Sequence, residues 1–434
     1  MLYESPKRIP EPKGARMDYK ELAKVFYMDS SSNREANLAA EEARRRDSVG
    51  TFRLGYETQA GELFLAVPKE LSALTEQVLC TERKVTALLN GMNLLAANAV
   101  LRGLVFDEVV FTNAIEGIHS TRRQIKDALE SVSNDASRRR FKELALLYMD
   151  IASGKAEEPT TPEGVRAIYD RVMDGELDDA HAPDGRLFRK DGVDVIAGGV
   201  NVIHRGLEPE EKIVEAMTSM LALAEDKGLP SLYAALASHY LFEYAHPFYD
   251  GNGRTGRYLC SLMLDRSLSK PTVLSLSRVI LEHRDQYYKA FRSVENPMNK
   301  GELTFFVMEM MSLVRKAQLD VIDRLDCAWR RQSELRELMD DAIERTDLKK
   351  KQEQGIVFML MQYETFGMFG DASVEEVANY LKVGTQAARK HLRALEDKGV
   401  AVKVNQRKPV TFGLTQQFKE EFGVEPVVWR NPFE

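Results

Sequence analysis

Cysteine is scarce. Cys80, Cys260 and Cys327 are the only three in 434 residues, and they stand far apart. An odd number at such spacing reads neither as a disulfide framework nor as a zinc site. Cys260 lies in the apolar run Tyr258 to Leu264 and reads as a buried, inert thiol. No stretch of about 18 apolar residues occurs, so no membrane span is expected. The charged N-terminus, MLYESPKRIPEPKG, has no apolar stretch behind it, which argues against a signal peptide. A reducing, cytoplasmic setting fits these absences. Basic charge is not in excess: 60 Lys and Arg face 67 Asp and Glu, for a net −7. Nothing global therefore points to a polyanionic partner, although one unit of the chain can still be locally basic. There is no internal repeat and no low-complexity tract.

What is present is ordinary globular material, 44% hydrophobic and 29% charged, long enough for two or three domains. Residues 1 to about 60 read as polar and irregular, with Pro6, Pro10, Pro12 and a charged helix at 35–47. Helical spacing begins near 69, and residues 1–95 are expected to be mostly helical. Helices are expected at 98–116 and 121–131. Another should start near 133–140, capped by Asn134 or Asp135. Pro162 suits the first turn of a further helix. Two alternating runs, Val193–Ile196 and Val200–Ile203, flank Gly198-Gly199 and predict a β-hairpin. Helices follow at 209–226 and 230–245. The segment 326–355 is rich in charge, lacks Pro and reads as a solvated helical spacer.

The stretch with chemistry in it is His246-Pro-Phe-Tyr-Asp250-Gly-Asn-Gly-Arg254-Thr-Gly-Arg257, at a junction between two helical patterns. Gly251 and Gly253 let backbone approach a ligand closely. The first N–H groups of the second helix have no internal acceptor and favour an anion. Arg254 and Arg257, three apart, share a helix side, and cations at that end oppose the dipole unless an anion binds there. Asp250 offers a hard oxygen for Mg²⁺ beside phosphates. His246 titrates near neutrality and is the natural general base.

This stretch resembles the Fic signature HPFx[D/E]GNGRxxR at every defining position. The resemblance implies a protein adenylyltransferase that moves AMP from ATP to a protein hydroxyl (Tyr, Thr or Ser), on a target or on itself. It implies that His246 deprotonates the hydroxyl and that Asp250 holds Mg²⁺ on the phosphates. Gly251, Asn252 and Gly253 would line the anion hole, Arg254 would bind phosphate, Arg257 would hold the γ-phosphate, and Phe248 would pack as core. Upstream, Thr112-Asn-Ala-Ile-Glu116-Gly117 is similar to the family's inhibitory motif [S/T]xxxE[G/N], which implies that Glu116 pairs with Arg257 and misaligns ATP. The alternative is a plain helix end with Glu116 solvated and Gly117 just past it. His119 reads as structural. Gly185 and Arg189 stand where the family carries G-xxx-R before a flap, and the hairpin near 187–206 is expected to be that flap, holding target by strand addition.

Residues 371–415 resemble a winged helix-turn-helix. A helix is expected from Ala372 to Leu381, a second from Thr385 as N-cap, and a wing at Lys403 to Lys408. Lys and Arg total eight here against five Asp and Glu. Thr385, Gln386, Arg389, Lys390 and Arg393 would face a DNA groove; a protein or dimer contact is the other reading. The expected fold is mainly α. It comprises an N-terminal region, a Fic-type core at 96–325 with an inhibitory helix at 98–117 and a β-hairpin flap, and a C-terminal winged helix at 356–434. Two rival functions stay open: removal of AMP with Glu116 positioning water, and a DNA-binding regulator with an ATP-sensing or self-modifying core. A third, transfer of another phosphorylated group, is disfavoured by the intact Arg257.

Overall fold

The computed structural model describes residues 18–130, 140–177, 181–197, 201–367, 370–405 and 409–426. The helix start expected at 133–140, the Gly198-Gly199 turn, the wing tip at 406–408 and the three N-terminal prolines are wholly or mostly outside these residues.

The chain opens with α1 (Leu22–Met28), α2 (Arg34–Arg46), β1 (Thr51–Thr58), β2 (Gly61–Ala66) and α3 (Lys69–Asn90). The antiparallel β1–β2 hairpin corrects the expectation of an irregular, then helical, N-terminal region. Leu54, Tyr56 and Thr58 turn inward at every second position, the strand period. The pairing with β2 shifts register between Arg53 and Glu57, where Gly55 takes φ 67. The connecting Gln59-Ala60 is also not a standard turn pair, so the sequence gives no hairpin signal there. The hairpin is fastened to a distant segment: Phe64 N–H donates to Gly301 O (3.2 Å) and Leu303 N–H to Phe64 O (2.8 Å). Buried Arg45 pairs with Glu302 at 2.7 Å.

Next come α4 (Leu94–Ile115), α5 (Arg122–Glu130), α6 (Lys142–Ser153) and α7 (Pro162–Val172). Helix α4 is apolar on nearly every side and runs through the core. Its two buried acids are partnered, as buried charges must be. Asp107 accepts from Arg122 (2.6 Å) and Arg324 (3.0 Å). Glu108 accepts from the Ser277 N–H (3.1 Å) and hydroxyl (2.6 Å). Pro162 occupies the first turn of α7, with Thr161 as its cap.

The hairpin β3 (Asp194–Ala197) and β4 (Asn201–Arg205) pairs Asp194 with Arg205 and Val195 with His204. Then follow α8 (Glu210–Glu225), α9 (Ser231–Ala245), α10 (Asn252–Leu264), α11 (Lys270–Val273), α12 (Leu276–Glu282) and α13 (Arg284–Glu295). Helix α9 is buried along almost its whole length, with α8 and α10 against it.

Helix α14 (Thr304–Arg345) is one rod of 42 residues packed on α3. No separate spacer exists at 326–355, and this corrects the sequence reading. Leu325, Ala328, Gln332, Leu335, Met339 and Ala342 are buried at three- and four-residue steps among the charges, so this stretch has a core-facing side. After it come α15 (Lys351–Phe366), β5 (Asp371–Ser373), α16 (Val374–Leu381), α17 (Thr385–Asp397), β6 (Ala401–Asn405), β7 (Thr411–Leu414) and α18 (Gln416–Phe422). The three strands form one sheet in the order β5-β7-β6. Residues Ala372 and Ser373 are strand rather than helix, and Ser373 with Glu376 forms a capping box on α16. The cap of α17 is Gly384, so Thr385 sits in its first turn, a second correction. Helix α15 packs on α4, and Lys126 pairs with Asp371 at 3.0 Å. Among the described residues, no helix is long and apolar enough to cross a membrane.

Candidate active site

The site begins where α9 ends. His246 closes that helix with φ 48 and ψ 62, left-handed values that cost a residue with a Cβ about 1 kcal/mol or more. Strain of this sort persists where surrounding bonds fix it. Here the clamp is Arg189, whose side chain is fully buried. Its Nε donates to His246 O (2.8 Å), its Nη2 to Ala245 O (3.2 Å) and its Nη1 to Asp191 O (2.6 Å). A guanidinium thus satisfies the last carbonyls of α9, where the helix dipole favours a cation. Arg189 is the arginine singled out ahead of the hairpin.

The loop after His246 is held from below. Phe248 is buried and stacks on Tyr169, with ring centroids 3.5 Å apart. The Asn252 amide spans the loop: Oδ1 accepts from Phe248 N–H (2.9 Å), and Nδ2 donates to Phe248 O (2.7 Å). Asn252 therefore shapes the loop with its side chain and leaves the backbone of α10 to face a ligand. Gly251 has φ 78, and a Cβ on it would fall 2.4 Å from Met173 Sδ, so the turn demands glycine. Asp250 is exposed and accepts the Gly251 N–H at 2.6 Å.

The two arginines diverge although they leave one side of α10. Arg254 is 1% exposed, donates to Glu176 at 2.9 Å and approaches Met173 Sδ at 3.0 Å. Arg257 turns toward the end of α4. Its Nε donates to the Thr112 hydroxyl (2.8 Å), and its Nη2 reaches Thr112 O (3.0 Å) and Glu116 Oε1 (2.7 Å). Gly117, at φ 74, ends α4 and lets the chain turn away. Glu116 lies directly over the start of α10: a Cβ on Gly253 would fall 2.1 Å from its Oε1. Thr112, Glu116, Gly253 and Arg257 are thus one cluster, assembled from two helices far apart in sequence.

Residues 159–264, from the start of α7 through α10, match the Fic/DOC family. The chain carries a Fic domain. It is 27% identical over 209 residues to a protein adenylyltransferase Fic of Nematostella vectensis, covering 46% of this chain and 45% of that one. A protein adenylyltransferase Fic of Drosophila grimshawi is 28% identical over 222 residues, covering 49% and 42%. The chain thus spans less than half the length of these relatives. Among solved structures, a Fic family protein from Desulfovibrio desulfuricans has 18% identity and a TM-score of 0.46, covering 78% of this chain and 96% of that one.

A hollow of about 90 Å³ lies beside the Glu116–Arg257 pair, lined by Glu116, Glu243, His246, Gly253, Arg257 and Tyr288 among others. His246 is neutral at physiological pH: burial, then the charges of His204 and Arg189, lower its pKa to about 3. Among the described residues no group of three or more His, Cys, Asp or Glu is placed to hold a metal. Asp250 alone fits the pattern of Mg²⁺ held by one carboxylate together with substrate phosphates.

Glu243 and His204 were not singled out from the sequence. Glu243 is a lone acid in the otherwise apolar helix SLYAALASHYLFEYA, which is the signal that was there to read. A Cβ on Gly256 would fall 2.1 Å from its Oε1, so this glycine makes room for it. Burial pushes the Glu243 carboxyl up to about 7 from 4.5, against the pull of Arg257. Its folded-state pKa lies above the unfolded value. Its contribution to stability is therefore complete below about 4.5 and lost as pH rises through about 7. Glu243→Gln removes that dependence. The melting temperature of wild type minus that of the variant is expected to fall between pH 4.5 and 7.5; a difference flat with pH counts against a protonated Glu243.

Thr385, Gln386, Arg389, Lys390 and Arg393 are exposed on α17, on a surface separate from the catalytic loop. His119 is exposed and lines no part of the hollow.

Proposed function

We propose that this chain transfers AMP from ATP to a hydroxyl side chain of a protein and that Glu116 restrains it. The observation that carries the reading is the Glu116–Arg257 pair set over Gly253, beside a neutral His246. The start of α10 and Arg257 form a cationic cradle for a polyphosphate chain. With Glu116 on Arg257, the γ-phosphate cannot use that arginine, and the α-phosphorus sits off the line of attack. When Glu116 withdraws, His246 accepts the proton of the incoming hydroxyl, the hydroxyl oxygen bonds to the α-phosphorus, and the bond to the β-phosphate oxygen breaks. Pyrophosphate leaves. Asp250 would hold Mg²⁺, which supplies charge neutralisation on the phosphates when bound. Arg254 reaches a phosphate only by leaving Glu176; in its present place it anchors the loop. The β3–β4 hairpin offers an edge for the target segment.

The test is where the label goes. Purified chain with cell lysate and Mg²⁺ is given ATP labelled at either the α- or the γ-phosphate. Protein should gain α-label and the mass of AMP, with none from the γ position. Transfer of γ-label sinks the reading in favour of phosphorylation.

A second activity is favoured by α17. Arg389, Lys390 and Arg393 are exposed on one helix with no ion pair among the described residues. Such a row fits the phosphates and groove of duplex nucleic acid. A fluorescent DNA duplex titrated at rising salt should bind with a steep salt dependence, and alanine at all three positions should weaken binding at least tenfold. Equal, salt-insensitive binding by both proteins removes this reading.

A further inference from the structure

Beside the catalytic loop, His204 occupies the next-to-last position of β4 and is held at both ring nitrogens. Nδ1 lies 3.1 Å from Glu295 Oε1, at the end of α13. Nε2 lies 2.9 Å from the carbonyl oxygen of Tyr244, in the last turn of α9. A carbonyl can only accept, and so can a carboxylate. Both nitrogens must then donate, and an imidazole that donates twice carries a positive charge. The ring centroid is 5.6 Å from that of Tyr244 and 6.2 Å from that of His246. Other charged or titratable groups face this space from each neighbouring element: Arg292 on α13, Glu243 on α9, Glu116 after α4, Arg257 on α10 and Arg189 before the hairpin. Of these acids, Glu295 is the one in contact with the ring.

We propose that His204 is a positioning residue for the transfer reaction. As an imidazolium clamped between α9 and α13, it fixes the base of the hairpin over the loop and keeps the neighbouring His246 imidazole unprotonated. Because its two N–H groups are taken, it does not touch substrate; it acts through His246 and through the hairpin. Independent directions agree. Burial works against the His204 charge, but its bonds to Glu295 and Tyr244 outweigh burial and raise its pKa. His204 in turn is the second cause, after burial, of the lowering at His246. A unit charge about 6 Å away in a partly solvated site is worth roughly one pH unit. The inference rests on His246 being the base, but its measurement does not.

The chain is labelled at histidine with ¹³C and ¹⁵N and titrated by NMR, with His204→Gln and His246→Ala supplying the assignments. In wild type, His204 should show the doubly protonated signature at pH 7 and above. In His204→Gln, the protonated fraction of His246 at pH 5 should rise about tenfold. Glu295→Gln, a change at a helix end, should lower the midpoint of His204 and, like His204→Gln, raise the protonated fraction of His246; it carries the test if His204→Gln does not fold. With the restraint removed by Glu116→Gly, the acid limb of kcat/KM should move by the same amount. The proposal is overturned if His204 is neutral at pH 7, or if His246 titrates alike in wild type and both variants. A uniform loss of rate at every pH, with His246 unmoved, shows a merely structural clamp and also overturns it. Absence of AMP transfer with the NMR shifts intact would instead tell against the reaction assigned to the site.

Discussion

Glu116→Gly should raise the rate of AMP incorporation about 10- to 100-fold at saturating ATP. A charge-assisted hydrogen bond to a buried partner contributes about 1.5–3 kcal/mol, which corresponds to that range of rate if the bond must break before productive binding. Geometry supports using the whole of it. Arg257 is 3% exposed, so water competes little for its guanidinium. The glycine also fits its place: Glu116 has φ −84 and ψ 7, which glycine adopts freely, and among the described residues its side chain pairs with Arg257 alone. Arg257 keeps both Thr112 oxygens, so the fold survives. Initial rates of α-labelled ATP incorporation, wild type against variant, decide the matter. Equal rates would remove Glu116 as a restraint.

The second large effect lies at His246. In the Glu116→Gly background, His246→Ala should lower transfer by about 10²- to 10⁴-fold, the usual worth of a positioned general base. ATP binding should change by less than twofold, since the cradle is built from α10 and Arg257. That combination separates loss of chemistry from loss of the site. Alanine inherits the same left-handed backbone, so the variant relieves no strain and should melt within a few degrees of its parent. If the double variant keeps a tenth of the parent's rate, another group takes the proton.

The local arrangement of the candidate site was legible in the sequence. The glycines, Asp250, His246 and the start of α10 depend on residues within one turn and loop, so order along the chain determines their arrangement. The placement of Glu116 on Arg257 was expected from a family resemblance, because no local rule joins two helices so distant. Glu243 and His204 were missed for a related reason. Their roles come from burial and from partners on other elements, and an acid within an apolar run gives only a hint. The β1–β2 hairpin was lost because its turn lacks the usual pair and its short alternating run sits in an otherwise polar stretch. The supposed spacer failed on balance: abundant charge hid a regular apolar face.

That face has a further consequence. A cut anywhere from 304 to 345 severs α14 within its hydrogen-bonded length, and a cut just after it strips α15 from α4, the helix that ends in Glu116. The C-terminal unit is thus joined to the rest of the fold by packing as well as by the chain. Any change that loosens the unit at one end reaches α4, the helix that ends in Glu116, at the other.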